Sequence, residues 1–130
     1  MYTDYCAILC VQVLRNMIDF GMDPQTALDA PRWYVAHVGD TQSPADVERS
    51  AVVIEEGYGG RWDGGGMEAD NEEHTVKELE KRGHRVLYLA KGNQRTIFGR
   101  GQVIIRDAAT GVLRGGTDPR TDGACMPTTR

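Results

Sequence analysis

Residues 5–20 place apolar side chains on two adjacent rows of one helix, and this double face is the tightest constraint on what the chain can fold into. Cys10, Val13 and Met17 recur on one row, with Val11, Leu14 and Ile18 beside it. A helix apolar on one stripe needs one surface to rest on, whereas two apolar rows ask for cover on two sides. Gly21 supplies a left-handed stop. Asp23 followed by Pro24 is an N-cap with proline at the first helical position, so a short helix runs from Pro24 to about Asp29 and Pro31 ends it. The first third therefore reads as helix, tight turn, short helix. Nothing obvious precedes the first helix for its second row to pack on.

Beyond Arg32 the periodicity changes. Trp33 to Val38 and Ala51 to Ile54 are strand-like, separated by loop composition from Gly39 to Asp46. The stretch 56–71 holds glycine at Gly57, Gly59, Gly60, Gly64, Gly65 and Gly66, and reads as an exposed loop insertion. It lacks the Gly-Lys-Ser/Thr sequence and the strand-to-helix context of a phosphate cradle. Asn71 is placed to cap a helix whose first turn carries Glu72 and Glu73 and which Lys81, Arg82 and Gly83 end. Arg85 to Leu89 is a strand. Gly101 to Arg106 and Val112 to Gly116 flank a five-residue connection containing Asp107 and Gly111, a hairpin pattern. The expected fold class is α+β: two N-terminal helices, then antiparallel strands and one further helix, in a single domain over residues 1–130.

Composition narrows the function classes. At 130 residues with 40% apolar and 26% charged side chains, the chain is neither disordered nor membrane-like in composition. Its formal net charge of -4, with Lys and Arg scattered, argues against nucleic acid, which demands a basic face. No run approaches the ~18 apolar residues of a spanning helix. The N-terminus shows no basic region and no small-residue cleavage site, so the expected location of the chain as given is cytoplasmic. Cys6, Cys10 and Cys125 cannot all pair within the chain. His37, His74 and His84 show no ligand spacing to them, so no metal and no cofactor is expected.

Several stretches are more specific than composition. Gln12 to Gln25 (QVLRNMIDFGMDPQ) runs on into Ala27-Leu28-Asp29-Ala30-Pro31-Arg32-Trp33. Near the other end stand Phe98-Gly99-Arg100-Gly101-Gln102-Val103-Ile104 and Thr110-Gly111-Val112-Leu113-Arg114-Gly115-Gly116-Thr117-Asp118-Pro119-Arg120. In order and spacing these resemble the last part of the gamma-glutamyltransferase (gamma-glutamyltranspeptidase, glutathione hydrolase) small subunit, from about Val11 to Gly123. The resemblance is weakest across 56–71. It implies an N-terminal-nucleophile hydrolase fold, an αββα sandwich of which this chain is a part. It also implies cleavage of gamma-glutamyl amides by a threonine freed at the N-terminus of the small subunit, whose own amine serves as base.

The resemblance places that threonine, and the residues gripping the glutamyl group, upstream of anything matching here. A Pro-Gly-Gly-Asp-like turn supplying oxyanion amides should stand where this chain reads Met1-Tyr2-Thr3-Asp4. Asp4 matches the acidic residue, but both glycines are replaced. Thr3 aligns with an oxyanion glycine, and no base is implied within its reach, so no catalytic or substrate-binding residue is assigned. His37, His74 and His84 have no motif linking them to Ser43, Ser50 or a cysteine. Glu55-Glu56 and Glu72-Glu73 are adjacent carboxylates that point apart, unlike a dyad flanking one bond. The remaining candidates are Arg32 in Ala-Pro-Arg and Asp118 and Arg120 in Asp-Pro-Arg. They are expected to hold the fold and assist maturation at a distance, as buried guanidinium groups need carboxylate or carbonyl partners. Two functions follow as expectations. One is the C-terminal portion of a glutathione hydrolase or transferase, inactive alone and partnered by the missing upstream segment. The other is a non-catalytic interaction or scaffold domain that associates with itself or a partner.

Overall fold

The computed structural model describes residues 3–36, 50–58, 61–62, 67–68 and 72–127. Helix α1 spans Thr3–Ile18 and α2 spans Pro24–Asp29. Strands β1 (Trp33–Ala36), β2 (Ala51–Glu55), β3 (Arg61–Trp62) and β4 (Met67–Glu68) follow, then helix α3 (Glu72–Lys81) and β5 (Val86–Ala90). A 3₁₀ helix over Gly92–Phe98, which the periodicity did not suggest, leads to β6 (Gln102–Arg106) and β7 (Leu113–Thr117). The elements group into two compact units, one of Met1–Ala30 with Thr96–Arg130 and the other of Pro31–Arg95.

In the first unit the start is set by local chemistry. Gly21, at φ 65, turns the chain out of α1 in a conformation that a side chain would strain, and the Met22 amide bonds back to the Asn16 carbonyl at 3.1 Å. Asp23 then caps α2: its carboxylate accepts from the amides of Gln25 (3.0 Å) and Thr26 (3.3 Å) and from the Thr26 hydroxyl. Pro24 occupies the first turn, where a missing amide hydrogen is no loss. From α1, Val13 and Met17 turn inward to join Ala27, Leu28, Met22 and Val103 in one apolar cluster. Leu9 is also buried, against Gly99. The second row behaves differently: Val11, Leu14 and Ile18 are 53%, 50% and 77% exposed. Cys10, expected beside Val13, lies exposed with them.

Strands β6 and β7 form the expected antiparallel hairpin, from Gln102↔Thr117 to Arg106↔Leu113. At its tip Asp107 accepts from the amides of Ala109 and Thr110, a side chain standing in for a backbone turn. Helix α2 lies directly on β7. A side chain at Gly116 would meet the Pro24 carbonyl carbon and the Gln25 amide nitrogen at 2.7 Å, so only glycine lets the two backbones approach. One residue on, the Gln25 amide grips Thr117 from both sides, accepting from its N–H at 3.0 Å and donating to its carbonyl at 2.9 Å.

The second unit is built on the three-stranded sheet β1-β2-β5. The central strand β2 reads as an unbroken apolar run because Ala51, Val53 and Ile54 are all buried. The expected antiparallel pairing holds for β1 with β2, β3 with β4 and β6 with β7, while β2 with β5 is parallel. The reason is the connection: parallel neighbours need a crossover of a dozen or more residues, and α3, packed on β5, lies in it. The register slips between Val52 and Val53, passing over Leu87, which is 41% exposed. Inside the glycine-rich stretch, expected as loop, β3 and β4 pair as a two-stranded ribbon, Arg61↔Glu68 and Trp62↔Met67. Asn71, the expected cap of α3, lies outside the described residues.

Two outcomes are expected. Gly116→Ala forces α2 off β7 and lowers unfolding free energy by roughly 1–3 kcal/mol, read by urea denaturation. The Asp23 carboxyl is held below its ordinary value, chiefly by the Thr26 hydroxyl. A depressed carboxyl stabilises fully above its unfolded value, near pH 4, and loses that contribution as pH falls through its folded value. Asp23→Asn, which still caps, should therefore leave stability near pH 7 almost unchanged and flatten its decline below about pH 4.

Candidate functional site

The densest polar construction in the first unit lies where the hairpin ends and α2 stops. β6 and β7 close at Gly101 and Asp118, whose backbones bond through Asp118 N–H to the Gly101 carbonyl at 3.0 Å. The Asp118 side chain returns the bond, its Oδ2 accepting from the Gly101 amide at 2.9 Å. Its other oxygen accepts from the Arg120 amide at 3.1 Å and from Arg120 Nη1 at 3.0 Å. Pro119 between them favours a turn that brings the arginine back over the aspartate. The guanidinium then reaches α2, Nη1 donating to the Leu28 carbonyl at 2.8 Å and Nη2 to the Ala30 carbonyl at 3.0 Å.

These carbonyls lie at the C-terminal end of α2, where the last turn leaves acceptors unsatisfied and the helix dipole favours a cation. Arg120 thus caps α2 from about 90 residues away in sequence. Asp118 is fully buried and Arg120 only 7% exposed. Such a pair survives burial only because both partners are saturated with further bonds. A carboxylate with both oxygens engaged and a guanidinium that does not deprotonate have no proton to exchange, so this geometry fastens backbone rather than performing chemistry.

Arg32 belongs to the second unit, and its main-chain neighbour is Glu55, which the sequence reading did not select. Arg32 N–H donates to Glu55 Oε2 at 2.8 Å, and Glu55 N–H to the Arg32 carbonyl at 2.9 Å. The other Glu55 oxygen pairs with Arg95 Nε. Glu55 is fully buried, whereas the adjacent Glu56 is half-exposed and turns to the Gly92 amide. The two carboxylates do point apart, and each ties a separate stretch of chain. The signal that could have singled out Glu55 is its place at the end of the apolar run in β2, where a buried carboxylate must find a cation or amides.

Thr3 and Asp4 lie in the first turn of α1, and among the described residues every positive φ belongs to a glycine. Thr3 therefore does not reproduce a glycine-type turn. His74 and His84 are exposed, at α3 and just after it, while His37 and Ser43 lie outside the described residues. Among the described residues no group of three or more His, Cys, Asp and Glu side chains could hold a metal ion. No described helix is long and apolar enough to cross a membrane.

Truncating either member of the buried pair strands the other charge. Arg120→Ala and Asp118→Ala should each cost about 3–5 kcal/mol in urea unfolding, with the double variant well short of their sum. Arg120→Lys should restore little, since an ammonium cannot span two carbonyls and a carboxylate at once.

A model of the gamma-glutamyltranspeptidase family matches residues 7–128. The chain is 29% identical over 114 residues to the glutathione hydrolase-like YwrD proenzyme of Bacillus subtilis, covering 88% of this chain and 18% of that protein. Among solved structures it is similar to a cephalosporin acylase from Bacillus halodurans, at 36% identity and a TM-score of 0.59, over 89% of this chain and 17% of the other. A point variant of Helicobacter pylori gamma-glutamyltranspeptidase shares the fold at 24% identity and a TM-score of 0.52, over 88% of this chain and 48% of that one. The chain thus spans less than half the length of each of these relatives. With the helix pair, the hairpin and the Asp-Pro-Arg clasp all inside the matched span, the chain belongs to the gamma-glutamyltranspeptidase family, as part of an N-terminal-nucleophile hydrolase fold.

Proposed function

We propose that this chain is the C-terminal portion of a gamma-glutamyltransferase or glutathione hydrolase, a piece that shapes the enzyme without supplying its nucleophile. The family match over residues 7–128 carries this reading. It is supported by the short span relative to each relative and by the absence of a nucleophile–base arrangement among the described residues. The reaction is cleavage of a gamma-glutamyl amide by a threonine at the N-terminus of the upstream segment. The chain alone is inactive.

In this reading Asp118 and Arg120 act as fasteners. They fix the end of α2 to the hairpin, and Arg32, set on β2 through Glu55, continues the same connection into the three-stranded sheet. Maturation depends on them through the shape they impose, at a distance from the scissile bond. The exposed apolar row of α1 supports a second reading, a non-catalytic domain that uses this surface to associate.

The intact mass of the native protein, captured from its source with an antibody against this region, separates the two. The expected result is a polypeptide heavier than 14.3 kDa whose mature form exposes threonine at a new N-terminus and hydrolyses a gamma-glutamyl anilide. A native mass of 14.3 kDa would overturn the enzymatic reading. In the complete protein, Arg120→Ala should slow the appearance of the cleaved small subunit by about tenfold or more, while the mature enzyme that does form keeps an ordinary KM.

A further inference from the structure

Helix α1 is covered on one side only. Leu9, Val13 and Met17 turn inward, and Ala7, Cys10, Val11, Leu14 and Ile18 form a continuous exposed stripe at spacings of three and four residues. The stripe runs for about 16 Å along the helix. Its flanks are polar, with Arg15 and Asp19 paired at 2.7 Å beside it. A helix with apolar residues on two faces is built for the interior of a larger body.

We infer that this stripe is the seat of the polypeptide preceding residue 1 in the complete protein, so that α1 is an inner helix clasped from both sides. The inference rests on the reading of the chain as the C-terminal portion of a longer enzyme. The occupant follows from two observations. The relatives carry at least half of their length outside the span this chain matches, so a large body of chain is available to cover the stripe. The stripe is also too narrow for a stable separate partner. Five side chains of this size, even fully exposed, fall short of the roughly 800 Å² per partner that stable pairs bury. A segment of the same polypeptide avoids most of the entropy cost of association, so a small apolar contact suffices for it and not for a second copy.

The test uses the complete native protein with p-benzoylphenylalanine in place of Leu14 or, separately, Ile18, irradiated and mapped by peptide mass spectrometry, with exposed Glu80 as the control position. Cross-links from both α1 positions to peptides N-terminal to Met1 of the same polypeptide are expected. Cross-links to the α1 of a second copy, to another protein, or no more than the Glu80 control gives would overturn the inference. A measurement without any substitution stands beside it. Cys10, on the stripe, should react with N-ethylmaleimide at least about tenfold more slowly in the native complete protein than in the same protein unfolded in urea. Equal rates would overturn the inference. A native mass of 14.3 kDa removes both this inference and the enzymatic reading, whereas a heavier protein with an unprotected Cys10 removes this inference alone.

Discussion

A single buried ion pair holds the first unit together. Asp118 closes the hairpin at Gly101, and Arg120 carries that closure to the last carbonyls of α2. Remove it and three things lose their anchor at once: the open end of β6 and β7, the end of α2, and the turn after Asp118. The apolar cluster around Val13, Ala27 and Leu28 is small, so its geometry depends on elements held in place by polar bonds. The Gln25 grip on Thr117 and the contact at Gly116 belong to the same arrangement, fixing the start of α2 as Arg120 fixes its end. A six-residue helix is too short to be stable by itself, and here both ends are fastened to a strand distant in sequence.

Much of this was legible in the sequence where one residue type has one physical meaning. Asp23-Pro24 and Gly21 placed α2 correctly because a cap, a fixed φ and a left-handed turn are local events. The hairpin was legible from Asp107 and Gly111 between two apolar runs. The pairing of Arg120 with Asp118 was suggested by their two-residue spacing in the Asp-Pro-Arg motif. The partner carbonyls on Leu28 and Ala30 were not, because no local pattern announces a bond across 90 or more residues.

Glu55 was missed for a related reason. Adjacent glutamates usually sit in solvent, and only the pairing of β2 on both sides shows that one of them is inside. The parallel pairing of β2 with β5 was hidden too, since strand direction depends on how α3 spans the connection and not on the composition of either strand. Within α1 the periodicity correctly gave two apolar rows but could not say which would find cover. Cys10 was grouped with Val13, whereas it lies with Val11 and Leu14.

The first unit is assembled from the two ends of the chain, Met1–Ala30 and Thr96–Arg130, with the other unit continuous between them. This sets an order of events during synthesis. Residues 31–95 can pair their strands as soon as they leave the ribosome, because every partner in that sheet is already made. Helices α1 and α2 must wait, with their apolar rows uncovered, until Arg120 has been translated and can reach back to Leu28 and Ala30. Closing so long a loop costs little more than closing a loop half its length, so the delay is one of timing more than of stability. The earliest-made part of this region is therefore the last to be secured, and a ribosome stalled shortly before Asp118 would leave α1 and α2 with nothing to hold them.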